Sequence, residues 1–383
     1  MKAHCQALDG LRGVAAISVV IFHIFELMVP DLDHNPLPHT FLAVDFFFAL
    51  SGYVLGYAYD GRLGAAASGA RLSVGGFIKR RLIRLHPVVV VAAIVGAVVY
   101  VCDPNVGDAQ RVGVALSPVM MALTVILSVF LLPSPPLPNL FGETHSVNPP
   151  SWTLFWEYIA NLFFISYGYR LKRSVHVVLL VCGAVALMLT AVLYKGDLGY
   201  GWGWSNVWVA PVRLCYPFLA GLLVYRLGLK ITLPQPFIAA SVLLLAVFVA
   251  PRFGVWNGFY EAGAVILAFP LILMIGASVT RVPGPSGAIC RFIGGLSYPL
   301  YIIHYPFVLL FGHWNWQTHP ARPLLYTVQA GLVVFEIALA TVLYYGYDLP
   351  VRAWLTRRFL GHRTPRSAAR AFGLKTVKKT AIP

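Results

Sequence analysis

Leu8-Asp9-Gly10-Leu11-Arg12-Gly13-Val14-Ala15-Ala16-Ile17-Ser18-Val19-Val20-Ile21-Phe22-His23 opens an apolar run near the amino terminus and carries two ionisable side chains into it. Arg12 and His23 stand eleven residues apart, which on an α-helix is three turns plus about 20°. They share one face and are separated by roughly 16 Å along the axis, about half the depth of a bilayer. Ionisable groups are costly in lipid and usually face a bundle interior or a wet cavity. The stripe therefore reads as a functional axis.

Working outward, the rest of the chain supports a membrane setting. Apolar residues make up 58% and charged residues only 11%, against about 25% in soluble domains, and the mean hydropathy is +0.74. Eleven apolar stretches lie at about 11–29, 41–59, 87–102, 113–132, 151–169, 175–194, 207–226, 235–251, 260–279, 296–312 and 324–346. The fold class expected is an all-α polytopic membrane protein, one integral domain over 1–350 with a basic tail over 351–383. The net charge of +15 clusters beside the ends of apolar runs, which points to loops facing anionic lipid and away from nucleic acid. Five scattered cysteines without a CxxC argue against a disulfide framework and against a metal site. Arg12 interrupts the first run and no small-residue cleavage site follows, so the first span is expected to stay in place.

Loop 60–86 holds Arg62, Arg71, Lys79, Arg80, Arg81 and Arg84, whereas loop 30–40 has no Lys or Arg. The positive-inside rule then runs the first span outward. Nine basic residues follow position 346, so both termini are expected in the cytoplasm and the number of crossings is even. Ten crossings are expected, with either 87–102, short for a span, or 113–132, which contains Pro118, failing to cross. Loops 133–150 and 196–206 face outward. Trp202, Trp204 and Trp208 there are read either as an interfacial belt or as platforms for a sugar ring.

Translating position into depth at about 1.5 Å per residue places His23, Asp45, Glu157, Arg213 and His304 in the central-to-outer half of the bilayer, with Glu26 on the face of His23. Each could be a buried structural pair, Glu157 with Arg213 for instance. As a set in a chain so poor in charge, they favour a functional cavity. A His beside a carboxylate can deprotonate a hydroxyl, or take an acyl group covalently. Both lead to acyl transfer. At the cytoplasmic side Lys79-Arg80-Arg81-Leu82-Ile83-Arg84 is a basic strip in which Arg81 and Arg84 are neighbours on a helix, suited either to topogenic charge or to phosphate.

Together these motifs resemble the acyltransferase 3 family of membrane proteins. The resemblance is carried by Arg-x10-His (Arg12, His23), Asp-Phe-Phe-Phe-x-Leu-Ser-Gly (Asp45 to Gly52), Arg-x-x-Arg (Arg81, Arg84) and Ser-Tyr-Pro-Leu-Tyr-x-x-His (Ser297 to His304). Ser151 to Glu157 and the stretch from Pro211 to Gly221 add to it, in order, over about residues 5–350. It implies a cytoplasmic acyl-CoA donor, commonly acetyl-CoA, and a hydroxyl acceptor on a carbohydrate, glycolipid or macrolide at the outer side of the inner membrane. It implies His23 as the acyl-transfer histidine with Arg12 in its motif, and Arg81 and Arg84 on the donor side; CoA phosphates are expected on Arg81, Arg84 and Arg12, and Asp45 or Glu157 is expected as the carboxylate that orients His23. Arg213, His304, Tyr298, Ser151 and Trp152 are expected to bind substrate. Some relatives append a soluble SGNH-type domain. About 35 residues follow the last span here, so transfer within the membrane domain or with a partner is expected. The rival class is a proton-coupled transporter, since buried His, Asp, Glu and Arg also build proton relays.

Overall fold

The computed structural model describes residues 5–29, 31–63, 72–103, 117–138 and 140–361. Among these the regular elements are helices, apart from one isolated antiparallel bridge between Glu143 and Gly203. In chain order they are α1 (Gln6–Glu26), α2 (Ala43–Leu55), α3 (Val74–Cys102), α4 (Pro118–Val129), α5 (Ser151–Ser166), α6 (Arg173–Leu193), α7 (Val209–Leu227) and α8 (Pro236–Val249). Then follow α9 (Gly254–Gly276), α10 (Gly284–Ile303), α11 (Tyr305–Thr318), α12 (Arg322–Val342) and α13 (Leu349–Leu360).

Among the described residues six helical runs are long and apolar enough to cross a membrane, and the bent pair α10–α11, taken as one span, makes a seventh. The 87–102 stretch is no short span. Ser73 caps a helix that starts at Val74, its hydroxyl accepting from the Gly76 N–H at 3.1 Å, and the 29 residues of α3 reach about 44 Å. Arg81 and Arg84 thus sit within a spanning-length helix. The described part of 113–132 is the 12-residue α4, about 18 Å long. A π-helical segment (Leu343–Asp348) joins α12 to α13, so helix continues to Leu360 and takes in the first ten residues of the stretch assigned to the basic tail. Residues 362–383, the remainder of that tail, lie outside the described residues, as does Arg71.

Two helix pairs organise the interior. In the first, α1 packs along α10, Gly10 against Cys290 and Gly13 against Ile293. In the second, α2 packs on α7 with their backbones in contact. A Cβ at Gly52 would come within 2.0 Å of the Phe218 carbonyl oxygen, and one at Gly221 within 1.9 Å of that of Ala49. Small residues allow such approach where lipid supplies no hydrophobic drive between helices. The main apolar cluster joins α1, α2, α7, α8, α9 and α10 through Leu11, Phe46, Ala220, Leu244, Phe269 and Leu300.

The α10–α11 pair bends by 55° at His304, and the cause is local. Pro306 has no N–H and restricts the residue before it. The carbonyl it would have bonded, that of Ile302, instead accepts from the Asn148 side-chain amide at 2.8 Å. Asn148 belongs to the segment 142–150, which is buried from Glu143 onward although it joins two helices. The segment is tied to 196–206 by Thr144 N–H to the Trp202 carbonyl (2.9 Å) and Trp204 N–H to that of Gly142 (3.0 Å).

Candidate active site

Polar groups gather in two tiers along the α1–α10 seam. At the lower tier the Arg12 Nε donates to Ser297 Oγ at 2.8 Å and its NH2 to the Gly294 carbonyl at 3.1 Å, with Asp9 3.3 Å away. Arg81 is buried and donates to Glu157 Oε1 at 2.5 Å, an oxygen that also accepts from Ser51 Oγ at 3.3 Å. Arg352 of α13 pairs with Asp348 at 2.6 Å. Arg84 lies among Arg12, Arg81 and Arg352, close enough to feel all three positive charges. It has no ion-pair partner among the described residues. Tyr298 closes this tier, its hydroxyl donating to the Leu85 carbonyl at 2.6 Å. Four guanidinium groups from α1, α3 and α13 face three carboxylates, so one positive charge is left over. That is the electrostatics of an anion cradle.

The upper tier lies two turns further along α10 and three along α1. His23 Nδ1 is 2.6 Å from Glu26 Oε2. A carboxylate only accepts, so Nδ1 carries a proton, and in the neutral ring Nε2 presents the lone pair. His304 Nδ1 lies 2.9 Å from the Tyr301 carbonyl, which also only accepts, and its Nε2 is buried without a partner. The two imidazoles stack at 5.4 Å between centroids with 26° between planes, and Tyr305 meets His23 edge-on at 5.1 Å. The two rings are thereby held together, His304 fully buried and His23 about a quarter exposed. The arrangement can accept a proton from a hydroxyl or amine.

The carboxylates expected to orient His23 are engaged elsewhere. Asp45 is fully buried against Arg213, whose Nε lies 3.3 and 3.2 Å from its two oxygens and whose NH2 lies 2.5 Å from Oδ2. Arg213 also donates to the carbonyls of Tyr200 and Phe41 and lies over the Trp152 ring at 5.7 Å. It is a clamp between α2, α7 and the 196–206 segment, with its donors satisfied. Glu157 pairs with Arg81 and not with Arg213. The reason is depth: Asn148 docks beside His304, so α5 starts well inside the molecule. Glu157 then falls about 9 Å further along, at the level of the arginines. The carboxylate that His23 does meet is Glu26, three residues on. Ser151 and Trp152 are buried at the start of α5, where Ser151 N–H donates to the Asn148 carbonyl at 3.0 Å. Trp202 and Trp204 tie their own segment through Nε1, to the carbonyls of Gly199 (2.9 Å) and Ser134 (3.0 Å).

Sequence reasoning did not single out Asn148, Tyr305 or Arg352. The signal for the first two was the Tyr305-Pro306 step beside His304, which frees a carbonyl and calls for a donor. Arg352 gave none, since it reads as one basic residue among the nine.

The acyltransferase domain profile matches residues 6–345. "Protein 2 in picA locus" of Rhizobium radiobacter is 33% identical over 190 residues, covering 48% of this chain and 93% of that protein. No solved structure matches. With the motif residues of α1, α2, α3 and α10 assembled in two tiers and the match running almost end to end, the chain belongs to the acyltransferase 3 family.

Proposed function

We propose that the protein is an inner-membrane O-acyltransferase moving an acyl group, acetyl in the simplest case, from acyl-CoA to a hydroxyl of a carbohydrate or glycolipid. The single observation that supports this most is the placement of an arginine tier below a histidine tier along the seam of α1 and α10. Both termini lie in the cytoplasm in this reading, which follows the distribution of Lys and Arg. The arginine tier then faces the donor and the histidine tier the outer side.

Arg84, with no carboxylate of its own, takes a phosphate of the donor, and Arg12, Arg81 and Arg352 complete the cradle. The thioester reaches upward along the α1–α10 seam. His23 Nε2 takes the proton of the acceptor hydroxyl as that oxygen bonds to the thioester carbonyl carbon. The C–S bond breaks, the CoA thiolate leaves toward the arginines, and the imidazolium is stabilised by Glu26 and returns its proton to the thiolate. His304 lies against the same ring and provides the second acceptor nitrogen.

The test is CoA release and acyl transfer by purified protein in nanodiscs. His23→Ala should cut transfer by about 10²- to 10⁴-fold while leaving the melting temperature and acyl-CoA binding close to wild type. Retained turnover would remove His23 from the chemistry. A wild-type protein that neither releases CoA nor transfers acyl groups, but carries protons or solutes, would overturn the proposal in favour of a transporter.

A further inference from the structure

We infer that the segment 142–148 forms the acceptor site over the histidine tier, with the Glu143 carboxylate taking the hydrogen bond of a sugar hydroxyl. The inference rests on the transferase reading and deepens it. Glu143 is 2% exposed, and neither of its carboxylate oxygens has a partner among the described residues. A buried carboxylate left unpaired costs several kcal/mol, and such a group calls for a specific explanation.

Its neighbours repeat the pattern. The Thr144 hydroxyl lies 3.0 Å from the Trp202 carbonyl and 3.0 Å from His145 Nδ1. His145 Nε2 is buried without a partner among the described residues. Asn148 spends its amide on Ile302, which leaves its Oδ1 in the same condition. His304 Nε2 is the fifth such atom. The two carboxylate oxygens of Glu143 and Asn148 Oδ1 are acceptors, which suit a ligand rich in O–H groups such as a sugar.

The placement fits transfer. Asn148 pins the segment to the carbonyl freed at the α10–α11 break, two residues from His304. Ser146, Val147 and Pro149 line a small cleft with Tyr305, the residue edge-on to His23. Tyr305 also lies within reach of the charges of both Glu26 and Glu143, one carboxylate from α1 and the other from the covering segment. The backbone of the segment is rigidly held: Ser146 Oγ donates to the carbonyls of Pro135 (3.0 Å) and Glu143 (3.3 Å). Burial also pushes the Glu143 carboxyl above the usual carboxylate range.

Two measurements test this on the whole protein in nanodiscs. In the first, an apolar carbodiimide labels the wild type, with or without a panel of methyl glycosides, and adducts at Glu143 are read by mass spectrometry. Protection by at least one glycoside is expected, and no protection by any would overturn the site. In the second, Glu143→Gln should lower transfer to the protecting glycoside about 10- to 100-fold, with the acetyl-CoA requirement within about twofold of wild type. Glu143→Asp should restore part of the loss. Unchanged acceptor kinetics in Glu143→Gln, or equal damage to donor and acceptor steps, would overturn the inference. Protection without any acyl transfer by the wild type would sink the transferase reading and leave the hydroxyl site standing.

Discussion

Glu26 fixes which nitrogen of His23 is free, and that small fact decides whether the imidazole can act. Replacing it by Leu removes the acceptor for Nδ1–H, so the ring loses both its tautomer and its orientation. Glu26→Leu should lower turnover about 10- to 100-fold at unchanged acyl-CoA affinity, while Glu26→Gln, which keeps an acceptor oxygen, should lose less. Steady-state kinetics in nanodiscs separate the two. On the donor side, a charge-assisted contact to phosphate contributes about 1.5–3 kcal/mol. Arg84→Ala should therefore raise the acyl-CoA concentration needed by about 10- to 100-fold without altering the acceptor requirement, and the penalty should shrink as salt rises. A third residue answers to acid. Burial pushes His145 down to about 4, whereas the unfolded chain binds a proton from about 6.5 downward. Its contribution to stability is complete above the unfolded value and is lost as pH falls from there toward 4. Melting in detergent at pH 7.5 and 5 should show that loss, reduced in His145→Gln. The sequence made the ionisable residues legible one by one, because charge is conspicuous in an apolar chain. The pairings were not: Arg81 meets Glu157 and Asp45 meets Arg213 across separations that no local pattern encodes.

Among helices, α2 and α7 approach closely at Gly52 against Phe218 and at Gly221 against Ala49, where backbones touch. A methyl at either position would meet a carbonyl oxygen at about 2 Å, so α2 and α7 would have to part. Gly52→Ala should cost about 1–3 kcal/mol, and Gly52→Val should abolish the folded species, read as loss of the monodisperse peak in detergent chromatography. Asp45 and Arg213 sit at the start of the same two helices, so that variant should also unseat their ion pair. The existence and apolar character of most helices were readable from hydropathy. Their ends were not. The start of α3 at Ser73 lay in a polar turn that reads as loop, and the continuation of helix to Leu360 lay among arginines that read as tail. Helix ends follow caps and tertiary partners more than apolar content.

For the molecule as a whole, composition sufficed to place it in a membrane, since a chain this apolar and this poor in charge has no soluble alternative. Counting spans was harder, because α4 and α8 are short and α7 carries two arginines. The charge distribution predicts that reporters fused before Met1 and after Pro383 fall on the same side. A fluorescent protein and a phosphatase at each end would check this, and opposite readings would require an odd number of crossings.

The carbonyl that Pro306 leaves over is answered by an amide 154 residues earlier in the chain. Bend and cover are thus two halves of one latch, and neither is complete without the other. A nascent chain halted before His304 would have made its covering segment long since, yet would hold no imidazole pair beneath it. The proposed reacting centre can exist only once its roof has something to fasten to.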